Sequence, residues 1–231
     1  MHLPDGLLPP SFIIPGYAVA SGSLWYSLRQ IHRGPEPTTQ IPKASLLAAA
    51  FFVLSLLHIP VPPTSIHLVM NGLMGIVLGY YALPAIAIAL FFQAVFFAHG
   101  GLSTLGLNFV IMGLPALLAY QAFQRLQPVA KRWGLATATL GAGIGAGAVL
   151  LSAGIFVAIA ILGLPADLDA AMERRVLLIT LVIYSVQAVV EGIFTGLVLS
   201  FLARVKPELL RSSGFSGIGG TQARSPSALE E

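Results

Sequence analysis

The sequence predicts an all-α integral membrane protein, a bundle of about seven transmembrane helices with the amino terminus outside and the carboxyl terminus cytoplasmic. Three observations predict it. The chain of 231 residues is 56% hydrophobic and only 9% charged, whereas about a quarter of a soluble domain is charged. Long runs carry no Asp, Glu, Lys or Arg at all: Ala44 to Gln124 and Trp133 to Ala166 have none, and Val176 to Ala203 has Glu191 alone. The basic residues also segregate. With the first residues outside, Arg29, Arg33, Lys43, Arg125, Lys131, Arg132, Arg204, Lys206, Arg211 and Arg224 fall inside, and only Arg174 and Arg175 fall outside, beside Asp167, Asp169 and Glu173. That asymmetry follows the positive-inside rule and supports an odd number of spans independently of hydropathy.

The spans are expected at Ser11 to Ile31, Lys43 to Leu57, Ser65 to Ala82, Ala85 to Ala98, Leu105 to Phe123, Leu135 to Leu162 and Val176 to Leu202. Pro84 and the Gly100-Gly101 pair bound the short fourth one. Gly141, Gly143, Gly145 and Gly147 are expected to give the sixth span a smooth surface for close helix packing. Residues 1–10 stand apart as an amino-terminal segment, 11–204 form the membrane domain, and 205–231, rich in Ser, Gly and Ala, read as a flexible cytoplasmic tail. The first charge is Asp5, so the positive start of a cleavable secretory signal is missing and Met1 is expected to remain the true terminus. The net charge of +3 belongs to inner loops and implies a lipid bilayer rather than nucleic acid as the partner surface.

The chain has no cysteine, which removes disulfides and thiolate metal sites and leaves nitrogen, oxygen or thioether donors. Its opening dipeptide supplies such donors. A free terminus followed by His2 offers the Met1 amine, the His2 amide and the His2 imidazole within one residue's reach. Those are three corners of a square of nitrogens, a geometry that suits Ni(II) or Cu(II). His2, His58, His67 and His99 all fall at the outer ends of spans, and only His32 falls inside.

His67 is the best placed to close the square. It follows the proline-rich segment Pro60 to Ser65, with Thr64 as an expected N-cap and His67 itself in the first turn of the third span. There the positive end of the helix dipole favours the neutral imidazole that a metal requires. Taken alone, His67 reads as an interfacial or capping histidine; taken with Met1 and His2, it reads as the fourth ligand. His58 and His99 are expected in a second shell or along the route in. Met70 and Met74 share a helical face with His67 and read as packing, and Asn71 as a bond to a neighbouring helix or a loop. Asp5 sits in the turn Pro4-Asp5-Gly6, where it bonds backbone amides or attracts cations.

Gln93, Asn108, Gln187 and Glu191 are costly in lipid and should face the bundle interior. Gln187 and Glu191, four apart, share one face of the last span. Without a second intramembrane carboxylate, Glu191 reads as a hydrogen-bonded packing element rather than a proton relay.

The stretches MHLPDG (Met1 to Gly6), HLVMNGLMGIVLG (His67 to Gly79), FFQAVFFAHGGLSTLGLNFVIMG (Phe91 to Gly113) and QAVVEGIFTG (Gln187 to Gly196) together resemble the NikM/CbiM substrate-binding subunits of energy-coupling factor (ECF) transporters for nickel and cobalt. The resemblance covers nearly everything from Met1 to Leu202. It implies capture of Ni2+, or of Co2+, by the Met1 amine, the His2 amide, the His2 imidazole and the imidazole of His67, with Asp5, His58, Asn71 and His99 as possible second-shell residues. It implies a seven-span form with the amino-terminal segment drawn into the bundle, in the inner membrane of a prokaryotic cell. The Pro4-Asp5 pair looks closer to nickel members than to cobalt ones. No GxxxxGK[ST] phosphate loop is present, so ATP hydrolysis is expected from two cytoplasmic ATPase subunits working with a transmembrane coupling (T) subunit, with or without a small two-span accessory subunit. The chain is then a transporter subunit and not an enzyme. The other reading is a stand-alone metal channel or secondary carrier. A heptahelical permease would carry a His-Asp-His cluster in one helix, a retinal protein a lysine inside the last span, and an intramembrane metalloprotease HExxH; the sequence has none of these.

Overall fold

The computed structural model of the protein describes residues 1–34, 37–62, 64–163 and 170–211. Asp167, Asp169 and the tail beyond residue 211 lie outside the described residues, as do the side chains of Glu173 and Arg174. Among the described residues, seven helices of eight residues or more build the bundle: α1 (Pro10–His32), α2 (Ile41–Leu56), α3 (Asn71–Leu78), α4 (Ala82–Phe97), α5 (Leu105–Arg132), α6 (Thr137–Gly163) and α7 (Ala170–Val205). A short α8 (Glu208–Arg211) follows, inside the segment expected to be flexible. Lys43 of α2 donates to Leu209 O there and to Val77 O at the end of α3, tying the ends of three elements together.

The third span differs from expectation. Instead of one helix from Ser65, the chain forms an antiparallel hairpin of β1 (His58–Val61) and β2 (Thr64–His67), then α3. The reason is local. Pro60, Pro62 and Pro63 cannot donate to a helical ladder, and Ile59, Val61, Thr64 and Ile66 are β-branched residues suited to a pleated pair. Thr64 therefore pairs with Val61, and His67 pairs with His58; neither belongs to a helix. Met70 takes a left-handed conformation (φ 53°) that separates the hairpin from α3 and costs about 1–2 kcal/mol for a non-glycine residue. Glu191 of α7 holds it there. Its carboxylate accepts from the backbone N–H of Val69 and, at 3.1 Å, from that of Met70.

Among the described residues, four helical stretches are long and apolar enough to cross a membrane: Asn71–Phe97, Leu105–Arg132, Thr137–Gly163 and Leu178–Val205. The first does not run straight. A straight helix of its 27 residues would separate its ends by about 40 Å, yet the rings of His67 and His99, which flank it, are 6.2 Å apart. The chain turns back at the 3-10 segment Gly79–Tyr81. Hence α3, about 12 Å long, descends into the bundle and α4 returns, keeping the third and fourth elements separate.

All eight residues of α3 are buried. It packs directly against α5 and α6, with α7 lying against α6, and Leu73, Met74, Ile111, Met112 and Val149 are inaccessible to solvent or nearly so. Met70 and Met74 belong to this core. The outward faces of α1, α2 and α7 expose Ile14, Trp25, Leu46, Val182 and Leu197, as expected of surfaces facing lipid. The glycines of α6 divide by face. Gly145 packs against Thr195 of α7 and Gly72 of α3, and Gly141 against Leu199, whereas no described residue comes within 4 Å of where a Cβ on Gly143 or Gly147 would stand. Residues two apart point to opposite sides of a helix, so the expected four-glycine surface is in fact a two-glycine contact.

Candidate metal site

The first six residues, outside the spanning helices, are drawn against the hairpin and the α4–α5 loop. Leu3 is fully buried, and its backbone is paired as if in a strand. Asn108 Oδ1 accepts from Leu3 N at 2.8 Å, while Leu3 O accepts from Asn108 Nδ2 at 3.0 Å and from Thr104 Oγ1 at 2.6 Å. One carboxamide one turn into α5 thus satisfies both backbone groups of the residue following His2. The chain then turns at Gly6 (φ 79°). Asp5 accepts from Leu102 N at 3.1 Å and from Ser103 N and Oγ at 2.8 and 2.5 Å. The Ser103 hydroxyl, followed by the amides, lowers the Asp5 pKa. Its bonds run to the α4–α5 loop, where Gly101 leaves the room: a Cβ there would stand 2.6 Å from Asp5 N.

This seating brings the Met1 amine nitrogen to 3.3 Å from His67 Nε2. His67 Nδ1 lies 3.3 Å from Leu68 O; a carbonyl only accepts, so the proton sits on Nδ1 and Nε2 keeps its lone pair toward Met1. The His67 backbone is fixed too, its carbonyl accepting from Gln187 Nε2 at 2.7 Å. One face of α7 therefore grips the segment around His67 at two points, Gln187 at His67 O and Glu191 at Val69 and Met70. Both polar residues were expected to face inward; their purpose in holding His67 was hidden because sequence does not show which segment crosses α7.

The His2 ring lies 5.4 Å from that of His67 and 4.2 Å from that of His99. His99 follows Ala98, a left-handed helix end, and its N–H closes onto Gln93 O at 3.1 Å. His58 stacks on His99 at 6.0 Å. Asn71 points elsewhere, donating from Nδ2 to Ser152 Oγ at 2.7 Å on α6. His32 is at the opposite end of α1, bonded to Leu28 O. Among the described residues no three His, Asp or Glu side chains converge as a ready-made cage; the convergent donors are a chain terminus and imidazoles.

Electrostatics keep those donors neutral. Burial lowers the Met1 amine from 8.0 to about 5 and the His67 imidazole from 6.5 to about 3, the neighbouring amine adding to the latter. Burial, followed by the amine and by His67 and His99, places His2 well below its ordinary value, and burial lowers His99 as well. Neutral nitrogens with lone pairs are what a divalent cation of the later transition series binds. Among the described residues, buried polar atoms nearby without a bonding partner include His2 Nε2, His99 Nε2 and Gln93 Oε1. Gln93 is oriented by α2, its Nε2 donating to Phe52 O and Ser55 Oγ, which leaves Oε1 as an acceptor beside the His2 ring.

Comparison with known proteins gives a consistent result. Residues 2–209 match CbiM, described as the cobalt uptake substrate-specific transmembrane region. A Haemophilus influenzae protein whose name links it to metal transport is 33% identical over 94% of this chain and 100% of its own length. The fused nickel transport protein NikMN of Rhodobacter capsulatus is 30% identical over 91% of this chain. The cobalt transport protein CbiM of Geobacter sulfurreducens is 31% identical over 96%. The match spans 64% and 65% of those two longer proteins. A crystal structure of a truncated transition metal transporter has the same fold, with a TM-score of 0.73 at 22% identity over 87% of this chain and 98% of that one.

Proposed function

Because the chain belongs to the CbiM family of cobalt uptake substrate-specific transmembrane regions, we propose that it is the metal-capturing subunit of an ATP-driven ECF importer for Ni2+ or Co2+. It is a multi-pass membrane component of cobalt or nickel uptake; the importer context, the ligands and the choice of metal are the reading argued here. The observation that carries it is the Met1 amine facing His67 Nε2 at 3.3 Å.

The chelate follows from connectivity. The Met1 amine and the His2 amide nitrogen, which gives up its proton to water on binding, would close one ring on the metal, and the His2 amide and Nδ1 a second, so these three nitrogens occupy consecutive corners. The corner left over lies beside the amine and beside His2 Nδ1, and His67 Nε2 fills it. Cis nitrogens on a metal with bonds of about 2.0–2.1 Å stand about 2.9 Å apart, a few tenths of an ångström closer than Met1 N and His67 Nε2 are here. Ligation through His2 Nδ1 leaves the ring proton on Nε2, which Gln93 Oε1 is placed to accept; such partners fix the tautomer and the ring plane. The planar four-nitrogen set favours Ni(II).

Asp5 acts by anchoring the terminus to the α4–α5 loop, and Asn71 by fixing α3 to α6. The terminus lies outside the cell, the metal is enclosed from that side, and a T subunit moved by two ATPases, with or without the two-span accessory subunit, releases it inside a prokaryotic cell. Co-reconstitution tests this. Vesicles holding the chain, the coupling subunit and both ATPases should accumulate nickel only with ATP, and vesicles holding the chain alone should not. Uptake by the chain alone would instead establish a stand-alone carrier.

A further inference from the structure

The four-nitrogen set is closed over by the chain's own terminus, so an ion needs a route to it. His58 and His99 were left without a role by the chelate, and their geometry supplies one. In the hairpin His58 is the direct cross-strand partner of His67, and side chains of such pairs project from the same face. A cavity of about 480 Å³ borders this face, lined by His58, His67, Gln187, Leu56, Ile66 and Val190.

The imidazoles form a series of increasing burial. His58 is exposed, His99 half-buried and His67 only 4% accessible. Ring spacings along it are 6.0 Å from His58 to His99, then 4.2 Å to His2 and 6.2 Å to His67. Their donor atoms are prepared. His58 Nδ1 gives its proton to Leu56 O at 2.9 Å, leaving Nε2 with its lone pair, the arrangement His67 also has through Leu68 O. His99 Nε2 is buried with no partner. Two imidazoles on one metal, with bonds of about 2.0–2.1 Å, place their ring centres up to about 6.4 Å apart, and His58 and His99 fall within that reach.

We propose that His58 and His99 form a loading site, taking a hydrated divalent cation of the nickel–zinc class at the hairpin and passing it by ligand exchange to His2 and His67. Each imidazole step makes one metal–nitrogen bond as a metal–water or earlier metal–nitrogen bond breaks, with no change in oxidation state; closing the final site also breaks the His2 amide N–H bond, whose proton passes to water. The proposal rests on the four-nitrogen reading of the final site. Its physical content is kinetic: a relay lowers the barrier in both directions and leaves the end points alone, whereas a ligand changes the equilibrium.

The test is stopped-flow Ni2+ binding to the full chain in lipid nanodiscs, followed by its absorption bands and paired with equilibrium titration. His58 is exposed, so His58→Ala and His58→Gln should fold normally. The expected result is that both lower the association and dissociation rates together, about tenfold, with Kd unchanged, and that His58→Ala/His99→Ala is slower still. Unchanged rates in the His58 variants would overturn the relay, as would a weaker Kd at an unchanged association rate. His67→Ala run in parallel separates the two ideas. If it leaves nickel affinity intact, the four-nitrogen site itself is wrong; if it abolishes binding, any failure at His58 belongs to the relay alone.

Discussion

The amine nitrogen of Met1 lies 3.3 Å from Nε2 of His67, a residue 66 positions away. Nothing in the local sequence holds them together. The approach depends on three separate anchors: Asn108 and Thr104 on Leu3, the α4–α5 loop on Asp5, and Gln187 with Glu191 on the segment around His67. Each anchor can be removed without touching a proposed ligand.

Asn108→Leu removes the carboxamide that pairs both backbone groups of Leu3, leaving the Leu3 N–H buried without a partner and Leu3 O held by Thr104 Oγ1 alone. Nickel affinity should fall about 10–100-fold, as for other groups that orient ligands indirectly, while the helical bundle persists. Isothermal titration with circular dichroism on the same sample checks both halves, and an unchanged Kd would show that the terminus seats without this pairing.

Gly101→Ala introduces a Cβ where Asp5 N lies 2.6 Å away. The terminal segment, which is outside the helices, should give way before they do. The expected outcome is weakened nickel binding with thermal stability nearly unchanged, and a Met1–Pro4 segment newly open to aminopeptidase. Resistance to the peptidase together with full affinity would contradict the tight seating.

Much of the bundle was legible in the sequence because charge-free runs and basic loops report directly on the bilayer. Gln93, Asn108, Gln187 and Glu191 were legible as inward-facing for the same reason, and all four are buried. Their partners were not. Which backbone a buried amide reaches is decided by helix order, and a single sequence does not encode that in any local pattern. The hairpin was missed because a run from Ser65 to Ala82 without charge reads as one span by hydropathy, although Pro60, Pro62 and Pro63 beside β-branched residues pointed to a strand pair. The spacing of Gly141 to Gly147 was overread; alternate residues on a helix cannot share a face.

Glu191→Leu should be destabilising rather than simply inactivating. It leaves the Val69 and Met70 N–H groups buried and unpaired, at about 1–3 kcal/mol each, and frees the left-handed Met70. Thermal unfolding in detergent should show a clear loss of stability together with weakened metal binding. Full stability with lost transport would instead assign Glu191 a role in ion movement.

Acidity should oppose binding in a defined window. The seated Met1 amine titrates at about 5 against 8.0 for an ordinary terminus, so between those values a released terminus takes up a proton that the seated one refuses. Lowering the pH from 8 toward 5 therefore favours release of the segment, and below about 5 this group contributes no further change. Depression of His67 from 6.5 to about 3 extends the loss to lower pH. Nickel affinity should decline steadily across this range, measured in a non-coordinating buffer, and a flat profile would contradict a neutral, buried amine.

The most direct test of the account is nickel affinity of the purified chain with its native terminus against one extended by a few residues before Met1, with His67→Ala as the companion. Extension converts the amine into an amide and leaves every side chain in place. The account predicts that extension and His67→Ala each abolish tight, spectroscopically planar nickel binding. Tight binding by the extended chain would contradict it, because Met1 would then not be a ligand.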